Sequence, residues 1–198
     1  MTISTRLIKK IYITLSFILL LTLLPVPLVH RSSVGATAQV AATSQEIDVS
    51  VEVALESFYS MVLGGKEYLE SAKGVLVFPN VMKAGFVFGG EYGEGAMIIE
   101  DKTVDYYNIS TGSIGFQFGA QARRLIIVFM EENTLNKFLD SNGWDFGIDG
   151  SAAFFDMGTG GSIDSLNLNS TIIAIVWDIK GLMIDGSLKG SKFTKISK

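Results

Sequence analysis

Two pairs of carboxylates lie close enough in the sequence to suggest acid–base chemistry. Glu91 and Glu94 flank Tyr92 in GGEYGEG, and Asp145 and Asp149 flank FGI. A glycosidase needs two such groups about 5–10 Å apart across a cleft, and sequence spacing alone does not place them so. Asp145, Asp149, Asp156 and Asp164 supply the oxygen ligands that calcium prefers, but no EF-hand loop frames them. Acids at such positions ordinarily form turns or face solvent. The chain has no Cys, and its one His is His30. Beyond residue 38, Ser–His–Asp and Cys–His catalysis and the usual zinc sites are therefore excluded. GTGGSID at 158–164 lacks the last Gly of a dinucleotide fingerprint and reads as a turn between strands. This inventory points away from an enzyme and calls for no cofactor and no metal.

Recognition of an anion would fall to basic side chains in an acidic chain. Arg6, Lys9, Lys10 and Arg31 precede residue 39, which leaves 12 basic against 20 acidic side chains beyond it, a net −8. That balance disfavours nucleic acid as a partner and leaves anion binding to local patches. The candidates for a lipid head group are Lys66, Lys73, Lys83 and the pair Arg123–Arg124. The densest run is the tail KGSKFTKISK, with Lys189, Lys192, Lys195 and Lys198. Arg123–Arg124 opens the most apolar segment, LIIVFM. Adjacent residues of a strand point to opposite faces, so only one of the two can serve a given surface.

A third pattern is aromatic. GFVFG at 85–89, GFQFG at 115–119 and GWDFG at 143–147 start 30 and 28 residues apart. On a strand, the two aromatics of each motif share a face. Flanking Gly lets a strand bend and another backbone approach. One reading is an aromatic interior of a curved sheet or small barrel. The other is an apolar cavity for a lipid chain, lined by Phe86, Phe88, Phe116, Phe118, Trp144 and Phe146.

The elements that must position these residues follow from periodicity. Ile47, Val51, Leu55, Phe58 and Val62 form one helical stripe, ended by Gly64–Gly65, and KEYLESA at 66–72 continues as a further turn of helix. Beyond Lys73 the segments are short, rich in Val, Ile, Phe and Tyr, and separated by Gly or by Asp, Asn and Ser. A helix interrupts them at 131–143, where Leu135, Phe138 and Leu139 share a face. The fold class is α+β: an N-terminal helical segment packed on a curved, mainly antiparallel β-sheet or small barrel.

The amino terminus reads as an export signal. Arg6, Lys9 and Lys10 precede the uncharged apolar run IYITLSFILLLTLL at 11–24, and ATA at 36–38 provides small residues for cleavage after Ala38. An uncleaved anchor is the alternative. The organisation expected is a signal peptide at 1–38, a linker at 39–45 and one domain at 46–198.

SAKGVLVFPNVMKAGFVFGGEYGEGAMI resembles the SYLF domain, the lipid- and actin-binding domain of a family that includes eukaryotic endocytic proteins. The similarity continues through VDYYNISTGSIGFQFGAQARRLIIVFM, LNKFLDSNGWDFGIDGSAAF, GTGGSIDS and KGLMIDGSLKGSKFTKI. It is strongest to bacterial members that carry a signal sequence and a single SYLF domain. The resemblance implies lipid binding. In eukaryotic relatives the domain binds phosphoinositides, helped by an amphipathic N-terminal helix, and some members bind actin. Here the helix carries Asp48, Glu52 and Glu56 and no Lys or Arg, a poor face for anionic head groups. Two functions follow: an exported lipid- or membrane-binding module of the periplasm or cell envelope, or a structural or protein-interaction module of the envelope with no ligand.

Overall fold

The computed structural model describes residues 42–85, 88–114, 119–150, 152–158, 161–163, 170–181, 188 and 190–198. Helix α1 spans Ser44–Met61. A capping box starts it: Glu46 N–H donates to Thr43 Oγ1 at 3.3 Å, and Thr43 N–H donates to Glu46 Oε2 at 2.7 Å. The helix thus begins inside the stretch read as linker. After the short strand β1 (Val62–Leu63) comes helix α2 (Gly65–Glu70).

Four long strands follow: β2 (Gly74–Gly85), β3 (Phe88–Ile99), β4 (Lys102–Ile114) and β5 (Gly119–Phe129). Helix α3 (Glu132–Leu139) is shorter than the 131–143 read from the sequence. Then come β6 (Trp144–Asp145), β7 (Ala153–Asp156), β8 (Gly161–Ser162), β9 (Ile172–Gly181) and β10 (Lys192–Ile196). Eight strands form one sheet in the order β6-β10-β4-β3-β2-β5-β9-β7, antiparallel except for the β7–β9 pair. The α+β expectation of helices on a mainly antiparallel curved sheet holds.

The sheet is apolar on both faces, which explains why β5 and β9 read as unbroken hydrophobic runs. Leu76, Leu125, Ile127, Ala174 and Val176 point into one core. Their neighbours Val75, Val77, Ile126, Val128, Ile173 and Ile175 point into the other. The second core lies under α1, whose Ile47, Val51, Ala54 and Phe58 are buried. Phe58 meets Trp177 edge-on at 5.2 Å, and both are fully buried. Burial of such aromatic pairs contributes about 0.5–1.5 kcal/mol beyond area alone.

The first core lies on the concave face. Phe78 on β2 and Phe193 on β10 are separated by β3 and β4, yet their ring centroids are 5.6 Å apart. In a flat sheet three strand spacings would hold the backbones about 14 Å apart, so the sheet curls on itself. A bulge assists the curl. The β2–β3 register shifts between Val77 and Asn80, where Pro79 has no N–H for the ladder. Gly95 accommodates it: a Cβ there would lie 2.1 Å from the Val77 carbonyl oxygen.

Candidate functional site

The concave face is aromatic at one end. Phe138 of α3 packs on Phe129 at 5.0 Å, on Tyr107 at 5.0 Å and on Trp144 at 5.7 Å, while Phe146 packs on Phe193 at 6.0 Å. Leu76, Ile127 and Ile172 complete this end, and the space between these side chains holds no water-sized void. Trp144 and Phe146 are therefore packed core among the described residues. They do not sit on a long strand: β6 has two residues, and Phe146 continues only as a single bridge to Gly150.

The other two aromatic motifs fall at strand ends. Gly85 closes β2 and pairs with Gly89 on one side and Gly119 on the other, so the glycines of both motifs form one row across three strands. Phe86, Phe116 and Phe118 lie outside the described residues, and for Phe88 the backbone alone is described, paired with Ile114.

Two rows further into the sheet the concave face becomes ionic. Registered side by side are Thr111, Glu91, Lys83 and Gln121, with Arg123 one pair along beside Val81. Arg123 Nη2 donates to Glu91 Oε1 at 2.5 Å, with each side chain 2% exposed. Thr111 Oγ1 donates to Ser191 Oγ at 2.8 Å. Lys83, Glu91, Gln121, Arg123 and Ser191 are the buried polar and charged residues among those described, and all gather here. Burial also pushes the Tyr107 hydroxyl on this face up to about 12, with a lesser push from Asp105.

The structure separates the five basic candidates. It brings Lys83 and Arg123 together. Arg124 points away and pairs with Asp178 at 3.4 Å. Lys66 is exposed beside Glu70 at 3.9 Å. Lys73 lines an open groove of about 540 Å³ near the start of β2, together with Glu70, Glu100, Asp101 and Glu132. The tail lysines are partly neutralised: Lys195 pairs with Asp105 at 2.6 Å and Lys198 with Glu94 at 2.8 Å. Lys189 lies outside the described residues.

The carboxylate pairs do not converge. Glu91 faces the concave core, whereas Glu94, three residues on, faces the opposite side and holds Lys198. Asp149 accepts from Asp145 N–H at 2.7 Å, and Asp156 accepts from Gly158 N–H at 2.8 Å, so both shape turns. Among the described residues no group of three or more His, Asp or Glu is placed to hold a metal. Asp164 lies outside them.

Gln121 and Ser191 were not among the sequence candidates, and Glu91 was read only as one of a carboxylate pair. Lys83, Gln121 and Arg123 share one face with the apolar Val81 and Leu125, and inward polar residues in apolar strands are the signal that finds them. The bulge at Pro79 obscures it, because Phe78 and Val81 face the same core although they are three residues apart.

The described residues thus form a curled sheet with an α-helix on its convex face, a filled aromatic core and a buried ionic end. The family model described as Ysc84, Las17-binding protein actin regulator, matches residues 110–198. Over that span, which runs from β4 to the carboxyl terminus, the resemblance to the SYLF domain family is borne out. A search of curated proteins found no match.

Proposed function

We propose that the chain is a non-enzymatic SYLF-type module that binds lipid or a membrane surface outside the cytoplasm, in the periplasm or cell envelope. The observation that supports this most is the polarity of the concave face. Among the described residues of a chain that is acidic overall, Lys83, Arg123 and Glu91 are buried together at one end of a largely apolar face. Buried basic side chains beside an apolar surface suit an anionic amphiphile despite the net negative charge. The apolar run at 11–24 supports export, and the family match supports a binding role rather than catalysis.

The mode differs from insertion of α1. Its apolar stripe is spent on Trp177 and the sheet, and its outward residues include Glu52 and Glu56. Among the described residues no helix is long and apolar enough to cross a membrane.

One observation favours the second reading, an envelope interaction module with no ligand of its own: the aromatic end of the trough is filled. Vesicle flotation separates the two. The lipid reading expects the protein to float with phosphatidylglycerol vesicles and far less with phosphatidylcholine. Absence from both float fractions would leave the interaction module.

A further inference from the structure

Two open grooves, of about 540 and 300 Å³, meet between α1 and the β3–β4 turn and share Leu55, Tyr59, Ile98 and Asp101. Their floor is apolar, and Ile99 and Leu139 extend it toward α3. These floor residues are only half-buried, so an apolar surface is left open. The rim is acidic. Glu70, Glu100, Asp101 and Glu132 line the larger groove, and Asp48, Glu52 and Glu56 join Asp101 in the smaller one. Lys73 is the single basic residue among the described lining of either. Among the described residues no ion pair engages Glu52, Glu56, Glu100, Asp101 or Glu132, and Glu70 meets only the exposed Lys66 at 3.9 Å. Burial raises the pKa of the Tyr59 hydroxyl, and the charges of Glu70 and Asp101 raise it further, so these charges converge on the ring that joins the two grooves.

The turn that carries two of the acids runs against backbone preference. Ile99 pairs with Lys102, which makes Glu100 and Asp101 a two-residue hairpin loop with φ of 49° and 59°. Such loops favour Asn-Gly, because other side chains are strained at positive φ. Two carboxylates stand here at a cost to the fold.

We propose that this groove binds a basic amphipathic segment of a partner protein. Apolar side chains of the segment seat on Leu55, Ile98, Ile99 and Leu139, and its Lys or Arg side chains meet the surrounding carboxylates. One cation lies against the Tyr59 ring, between Glu70 and Asp101. The acids come from α1, α2, the hairpin and α3, so the match is to a segment with several cations rather than to a single small cation. The same rim repels an anionic lipid surface. The inference therefore goes beyond the lipid reading and does not rest on it.

Fluorescence anisotropy of a dye-labelled amphipathic Lys–Leu peptide with the full chain tests the groove. The unaltered protein should bind it saturably, and more weakly as salt is raised. A Lys–Gly peptide of the same charge should bind about tenfold more weakly or worse, because it has nothing to seat on the floor. Glu100→Asn combined with Asp101→Gly removes two rim charges and installs the preferred turn. This variant should gain thermal stability yet lose about tenfold in affinity for the Lys–Leu peptide. Asp140→Asn combined with Asp156→Asn removes the same charge away from the groove and should leave the affinity unchanged. Should the turn variant misfold, Glu56→Gln combined with Glu132→Gln takes its place with the same expected loss. Absence of binding by the unaltered protein at low salt overturns the proposal. So do equal affinity for the two peptides, equal losses in the groove and control variants, and binding indifferent to the groove variants.

Discussion

Arg123 on β5 reaches Glu91 on β3 across the whole width of β2, the strand between them. Both side chains are 2% exposed, so neither charge has water to fall back on. Removing one partner takes from the other the ion pair that offsets its burial. Arg123→Met should therefore cost about 3–5 kcal/mol, whereas Arg123→Met combined with Glu91→Gln should recover a large part of that loss. Denaturant unfolding of the single and double variants measures it, and strictly additive losses would show that the pair does not act as a unit.

The aromatic end should respond in a different way. Trp144→Ala and Phe146→Ala each remove a packed ring from a space without a water-sized void. Each should cost about 3–5 kcal/mol. Neither should alter vesicle flotation once the variants are compared at temperatures where both are folded. Small losses accompanied by altered lipid binding would instead make these rings cavity walls.

Lys198 ties the carboxyl-terminal segment to the residues before α1 and to β3. Its Nζ donates to the Ala42 carbonyl oxygen at 2.7 Å and to Glu94 Oε2 at 2.8 Å. Burial alone would raise the Glu94 pKa, but hydrogen bonds from Lys198 and Tyr92 outweigh it and hold the carboxyl below its usual value of 4.5. A carboxylate depressed in the folded state stabilises above its unfolded pKa and loses that contribution as the pH falls through the folded one. The unaltered protein should thus lose stability relative to Glu94→Gln on acidification below 4.5. Parallel stability profiles from about pH 6 to pH 3 would contradict this coupling.

The amino-terminal segment carries a separate prediction. Protein recovered from an envelope fraction should begin at Gln39, following cleavage after Ala38. Edman sequencing or intact mass checks it, and an intact Met1 in the membrane pellet would support an uncleaved anchor.

Much of the fold was legible because local signals agree with tertiary demands. The Ile47–Val51–Phe58 stripe marked α1, and the alternating apolar segments after Lys73 marked the sheet. Helix ends were less legible: Thr43 and Glu46 form a capping box that moves the start of α1 to Ser44. The aromatic motifs looked like three equivalent strands. Register instead puts the glycines of two of them at strand ends, and the third supplies a two-residue strand. The ionic group was half legible. Lys83 and Arg123 were candidates as anion binders, but their shared face depends on the bulge at Pro79, and the role of Glu91 depends on the neighbouring strands. Nothing local in the sequence reports either. Trp177 was missed as the centre of the helix–sheet core because β9, apolar on both faces, shows no alternation.

Native mass spectrometry of the protein purified from its own host, followed by organic extraction, tests lipid binding most directly. A lipid-binding module should show a bound mass above the polypeptide that releases a phosphate-bearing lipid on extraction. A clean polypeptide mass, unchanged after incubation with phosphatidylglycerol, would contradict it.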